Sequence, residues 1–206
     1  MSVTASSSAS APRAGRPRDE AVDRAVLEAT LAVLAESGIA GLTIDAVAKG
    51  AGVARTTVYR RWEDKEALVI DALGLLYDPI PPLPGTGLRD DLVHLAAAVQ
   101  NKSRQPKRAR LSHDLLPRMV AEANDYPDCI RLFRDRIIAP RRRVLIDRIQ
   151  QGIDDGDLPA DTDPEVFADL ITGPIVWRGL GRKLFGPAPT DYPQQIVDAV
   201  LRAAAS

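Results

Sequence analysis

Apolar residues recur at three- and four-residue intervals along most of the chain, the spacing that gathers them on one face of a helix. Between Asp19 and Ser37 the set Val22, Ala25, Val26, Ala29, Val33 and Leu34 predicts a first helix, closed by Gly38. Leu42, Ile44, Val47 and Ala48 predict a second, short helix with Thr43 at its N-cap. Ala51, Gly52 and Val53 interrupt the period, and Gly52 suits the positive φ of a tight inter-helix turn. The stretch Ala54 to Trp62 is then short, basic and free of carboxylates. Val58 and Trp62 are set inward by their spacing, which leaves Arg55, Thr56, Arg60 and Arg61 outward. Asp64 is the expected cap of a helix that runs to Tyr77.

The run 78–87, DPIPPLPGTG, supports no helix and is read as a boundary. Helical patterning resumes at 88–104, 109–122 with Pro117 inside it, and 128–153 with a kink expected at Pro140. Asp163 and Pro164 open a helix to Gly181, as a cap followed by proline at the first helical position, and a last helix covers 191–204. No segment reads as a strand and none repeats. The expected fold class is all-α. A tail (1–17) precedes a three-helix, helix–turn–helix unit (18–64), a linking helix (65–77), a Pro/Gly loop (78–87) and a helical body (88–206).

Composition narrows the function classes. The 206 residues carry a net charge of −1, which argues against indiscriminate coating of nucleic acid but allows a local basic face. Aromatics at 4% are too few for a stacking platform for single strands. One cysteine, Cys129, excludes a disulfide framework and a thiolate-rich zinc site. His94 and His113 stand on different predicted helices without a ligand at metal spacing, and no serine or cysteine nucleophile has a paired base. No metal, cofactor or enzymatic activity is expected. No apolar run reaches the length of a membrane span and the N-terminus lacks a signal peptide's apolar core, so the expected location is cytoplasmic. The Ser/Ala/Pro-rich tail should be disordered; Arg13, Arg16 and Arg18 near its end form either a solubilising charge cluster or an arm along DNA.

A short helix with guanidiniums on its exposed side fits a major groove. The residues Leu42-Thr43-Ile44, Val47-Ala48, Ala51-Gly52-Val53, Thr57-Val58-Tyr59-Arg60-Arg61-Trp62 and Lys65-Glu66-Ala67-Leu68 resemble the DNA-binding domain of the TetR/AcrR family of bacterial transcription regulators. The resemblance runs from about Glu20 to Leu76. Ala54 departs from it where the family often has a capping serine, which should weaken the helix start by about 1 kcal/mol. By geometry Arg55, Thr56 and Arg60 would reach base edges. The resemblance implies that Thr43, Thr57, Tyr59, Arg61 and Lys65 contact phosphates.

The last two predicted helices point to a second copy of the chain, with an internal hairpin packed wholly on its own core as the alternative. Val166 to Leu180 is apolar nearly all round, and Val166, Leu170, Ile196, Val197, Val200 and Leu201 would form a homodimer interface. In the resembled family this pair of helices builds a four-helix dimer contact. The resemblance also implies a small-molecule pocket in the body, for which His94, His113, Leu116, Met119, Val120, Tyr126, Phe133, Trp177 and Leu180 are candidate lining residues; each is equally a core residue. The expectation is a ligand-responsive, homodimeric repressor of a palindromic operator, released by an apolar or amphipathic effector. A helical protein-interaction adaptor and a helical enzyme are the alternatives.

Overall fold

A computed structural model of the chain describes residues 19–80, 82–101 and 105–205, and among these it is all-helical. Arg13, Arg16 and Arg18, with the expectation for the tail, lie outside the described residues. Helix α1 spans Glu20–Gly41, with the Asp19 carboxylate accepting from the Ala21 N–H at 3.2 Å. Gly38 breaks it at φ 70°, so the regular helix ends where the sequence closes it and one further turn follows. Helix α2 spans Ile44–Ala51 and is capped by Thr43, whose hydroxyl oxygen accepts from Ala46 N–H. Gly52 takes the left-handed conformation (φ 67°, ψ 32°) that turns the chain into α3, Arg55–Tyr59. Ala54 supplies no side-chain cap to α3.

Asp64 caps α4, Lys65–Gly74, which is shorter than the sequence predicts. Beyond Gly74 the chain tightens: the N–H groups of Leu75, Leu76 and Tyr77 reach carbonyls three residues back. Helices α5 (Leu88–Gln100), α6 (Pro106–Ala121), α7 (Pro127–Phe133), α8 (Ala139–Asp154) and α9 (Pro164–Leu180) build the body. The kink expected at Pro140 is a five-residue π turn, Arg134–Ile138, joining α7 to α8. Proline lacks an N–H and crowds the carbonyl four residues back, and the wider turn absorbs both effects. A short α10 (Arg182–Phe185) precedes α11 (Tyr192–Ala204).

Two cores hold these helices, and they do not divide at the Pro/Gly loop. The first contains Val26, Leu34, Val47, Val58 and Trp62 with the α4 run Leu68, Val69, Ile70, Ala72 and Leu73. That run is apolar on successive turns, and α1 covers only part of it. Leu115 and Met119 of α6, with Cys129 and Phe133 of α7, bury the remainder. Burial pushes the Cys129 thiol up to about 11, with the charge of Glu66 adding to the effect. The second core joins α5, α8, α9 and α11 through Leu92, Ile149, Ile171 and Val197. Asp91 anchors it: its carboxylate accepts from Arg148 Nε and the Gly85 N–H, both at 2.8 Å.

Candidate nucleic-acid interface and body cavity

Val58 is fully buried beneath α3, and Trp62 donates its indole N–H to Asp71 on α4 at 2.9 Å. These two anchors fix the rotation of α3. Arg55, Thr56, Tyr59 and Arg60 are consequently exposed together on its outer side. Arg55 pairs with Asp45 of α2 at 2.5 Å, in a contact open to solvent on both sides. Such a pair is worth at most about 1 kcal/mol and exchanges readily for a phosphate or a base. Arg60 makes no ion pair among the described residues. Thr43 uses its oxygen as a cap but keeps its hydroxyl proton, and Thr57 is half-buried.

Arg61 sits differently from its neighbours. Its side chain is only 10% exposed and pairs with Asp23 of α1, while it also reaches the Thr57 carbonyl at 3.4 Å. It braces α1 to the end of α3 rather than projecting outward. Lys65 likewise leans toward the body, its ammonium 5.7 Å from the ring centre of Tyr126. Sequence reasoning carried no signal for either partner, because both lie on distant helices.

A clasp ties the N-terminal three-helix unit to α6. Glu122 accepts from the Ile39 N–H at 2.9 Å, and Arg118, hydrogen-bonded to Glu122 at 3.1 Å, donates to the Ala35 carbonyl at 3.2 Å. These groups sit on the break at Gly38, where a Cβ would collide with the Glu122 carboxylate and lie 2.7 Å from Arg118 Nε.

Between α5, α6, the end of α7, α8, α9 and the segment that follows α4 lies a cavity of about 290 Å³. Leu95, Val99, Leu116, Phe133, Leu145 and Val176 wall it with apolar surface; Tyr77, Arg141, Arg142 and Thr172 supply its polar atoms. Arg141 lies over the Tyr77 ring at 5.3 Å and donates to the Asp78 carbonyl at 2.6 Å. Burial draws Arg141 below the ordinary guanidinium value, against the charges of Tyr77 and Asp78. Burial pushes the Tyr77 phenol up to about 12, with Arg141 opposing. A second space of about 180 Å³ adjoins across Val99 and Val176 and is lined by Gln100, His113 and Arg178.

Of the nine pocket residues proposed from sequence, Leu116 and Phe133 line the first cavity and His113 the second. The others lie elsewhere. Met119 is buried in the first core, Val120 is exposed, and Tyr126 faces Lys65. His94 lies close enough to Asp91 for its charge to act there, and Leu180 touches neither space. Trp177 is 64% exposed and stands 6.2 Å from the ring of Phe185. It points out of the body because Ile171 and Ile175, on the opposite side of α9, face the second core.

That outer side of α9 is an apolar stripe of Val166, Leu170 and Trp177, while Val176, turned toward the cavity, is exposed there. Of the interface residues expected on α11, Val197 is fully buried in its own core, and Val200 and Leu201 pack against that core. Ile196 is half-buried and outside that cluster. Among the described residues no group of three His, Cys, Asp or Glu side chains is placed to hold a metal, and no helix is long and apolar enough to cross a membrane.

Comparison with known proteins bears on both halves. Residues 26–72 match the family described as bacterial regulatory proteins, tetR family, and residues 83–200 match the tetracyclin repressor-like C-terminal domain. The HTH-type transcriptional regulator YdeS of Bacillus subtilis is 32% identical over 169 residues, covering 80% of this chain and 81% of that protein. The DNA-binding transcriptional repressor TetR of Mycobacteroides abscessus is 25% identical over 187 residues, covering 89% and 94%. The crystal structure of a TetR-family regulator from a Rhodococcus species superposes with a TM-score of 0.70 at 22% identity, covering 91% of this chain and all of that one.

Proposed function

Because the chain belongs to the TetR family of bacterial transcriptional regulators, a family of DNA-binding helix–turn–helix proteins and not of enzymes, we propose that it is a homodimeric repressor released from a palindromic operator by a small effector. The observation that carries the effector reading is the apolar cavity of about 290 Å³ whose wall includes Tyr77, the residue just beyond α4. Helix α4 shares its core with α3, so a ligand pressing on Tyr77 acts on the element that sets the recognition helix. The repressor reading is supported by the relative that bears that name. The dimer reading is supported by the exposed apolar stripe on α9.

In this reading Arg55, Thr56 and Arg60 read base edges, arginine through paired donors to guanine and threonine through the thymine methyl. Thr43, Thr57, Tyr59 and Lys65 meet phosphates, which sets register. Arg61 offers a phosphate only what its bond to Asp23 leaves free. The effector must bind the two arrangements of the dimer unequally; a hundredfold preference supplies about 2.7 kcal/mol per site. The test is a salt-dependent gel shift on the DNA upstream of the gene, repeated with ligands found in a thermal-shift screen. Specific retention that weakens steeply with salt, and a ligand that lowers it, are expected. Retention equal to that on random DNA would remove the operator reading.

A further inference from the structure

We propose that the effector is a monoanionic amphiphile, an apolar chain or ring bearing one carboxylate, whose head is held by Arg141 and Tyr77. This rests on the effector reading above and names the chemical class that the cavity selects. The arginines of α8 make the case by contrast. Arg142 pairs with Glu165 and Asp169, each at 2.6 Å; Arg143 pairs with Asp147 at 2.8 Å; Arg148 pairs with Asp91 at 2.8 Å. Arg141 alone among them has no carboxylate within ion-pair distance among the described residues. It is also the one whose guanidinium faces the apolar cavity with donors unspent, since one N–H goes to the Asp78 carbonyl and the cation otherwise rests on the Tyr77 ring.

Half-buried cations are held where an opposite charge or a full set of acceptors offsets lost hydration. Asp78 adds the field of its charge to Arg141. The Tyr77 hydroxyl makes no hydrogen bond among the described residues, and with its value raised to about 12 it stays protonated at neutral pH and keeps a proton to donate. The Thr172 hydroxyl proton is spent on the Ala168 carbonyl at 2.8 Å. The cavity therefore presents at one end a cation with no carboxylate paired to it, beside a hydroxyl with a proton to donate, and hydrocarbon elsewhere. A carboxylate fits that end because its two oxygens match the planar guanidinium fork. A second negative charge would have no partner, and the cavity's volume suits a medium chain or a single ring.

Calorimetric titration of the full chain with octanoate, methyl octanoate and octylamine tests this. Octanoate should bind the wild type at least about tenfold tighter than either neutral or cationic analogue, the weight of a charged hydrogen bond. Arg141→Gln should remove that preference while leaving methyl octanoate affinity unchanged, and Arg141→Lys should restore part of it. Tyr77→Phe, which keeps the ring, should cost octanoate a few-fold. Far-ultraviolet circular dichroism and melting of each variant confirm that it is folded, and Arg141→Lys serves as the folded control if Arg141→Gln is not. Equal binding of octanoate and its ester, or octanoate binding indifferent to Arg141→Gln, would overturn the anionic class while leaving the cavity an effector site. Binding of none of the three probes to the wild type would overturn the class and the effector reading together.

Discussion

Arg55, Arg60 and Arg61 lie within two turns of one another and meet three different fates. Arg55 is engaged by Asp45 in an exposed pair, Arg60 has no ion pair among the described residues, and Arg61 is drawn down onto Asp23. Arg60→Ala should therefore relax discrimination at one operator position at a cost of about 1–3 kcal/mol, with the melting temperature unchanged. Arg61→Ala should act on the fold instead: loss of a largely buried charged hydrogen bond costs about 2 kcal/mol of stability. Denaturant unfolding beside fluorescence anisotropy on specific and random DNA separates the two. An Arg61→Ala protein as stable as the wild type would return that residue to the phosphate-binding set. Adjacent positions of identical chemistry look alike in a sequence; the partner that distinguishes them is 38 residues away on another helix.

Local chemistry made the helix ends legible. Thr43, Asp64 and Asp163 cap helices as their residue types require, and Gly52 takes the left-handed turn. What escaped was the π form of the bend before Pro140, the early end of α4, and the clasp on α1, whose partner lies on a distant helix. That clasp makes Gly38 doubly constrained, by its φ of 70° and by the Arg118–Glu122 pair above it. Gly38→Ala should cost more than about 1 kcal/mol and loosen α6 from α1, seen as faster amide exchange around Ile39. Exchange unchanged at Ile39 would show that α6 does not hold that turn. The Asp91 brace in the other core carries a pH signature. Burial alone would raise Asp91, but hydrogen bonds from Arg148 and Gly85, with the Arg148 charge, hold it below the usual carboxylate value. The stabilisation is whole above about pH 4, the ordinary carboxylate value, and is lost as pH falls through the depressed native one. Asp91→Asn should lower stability at neutral pH by about 3 kcal/mol and flatten the acid limb of a stability–pH curve. An unaltered acid limb would assign the acid sensitivity to other carboxylates.

At the scale of the molecule, periodicity identified which helices are buried but not how far each is rotated. The apolar count on α9 is high all round, so the sequence could not separate Ile171 and Ile175, which face the core, from Leu170 and Trp177, which face outward. The same ambiguity placed Trp177 in the pocket and Val197 in the interface. Of the proposed dimer face, the α9 residues Val166 and Leu170 are the exposed ones, with Leu170, 54% exposed, near the middle of the stripe. Leu170→Glu leaves a solvated carboxylate in a lone subunit but forces a charge into apolar contact in a dimer, at a cost of several kcal/mol. It should yield a folded monomer that melts cooperatively and has lost most of its operator affinity, because the second half-site contact goes with the partner. Val197→Glu, in the subunit's own core, should instead fail to fold. Sedimentation velocity with circular dichroism distinguishes these outcomes. A Leu170→Glu protein that still sediments as a dimer would move the interface off this stripe, and the distance between recognition helices would then be set by a surface other than α9.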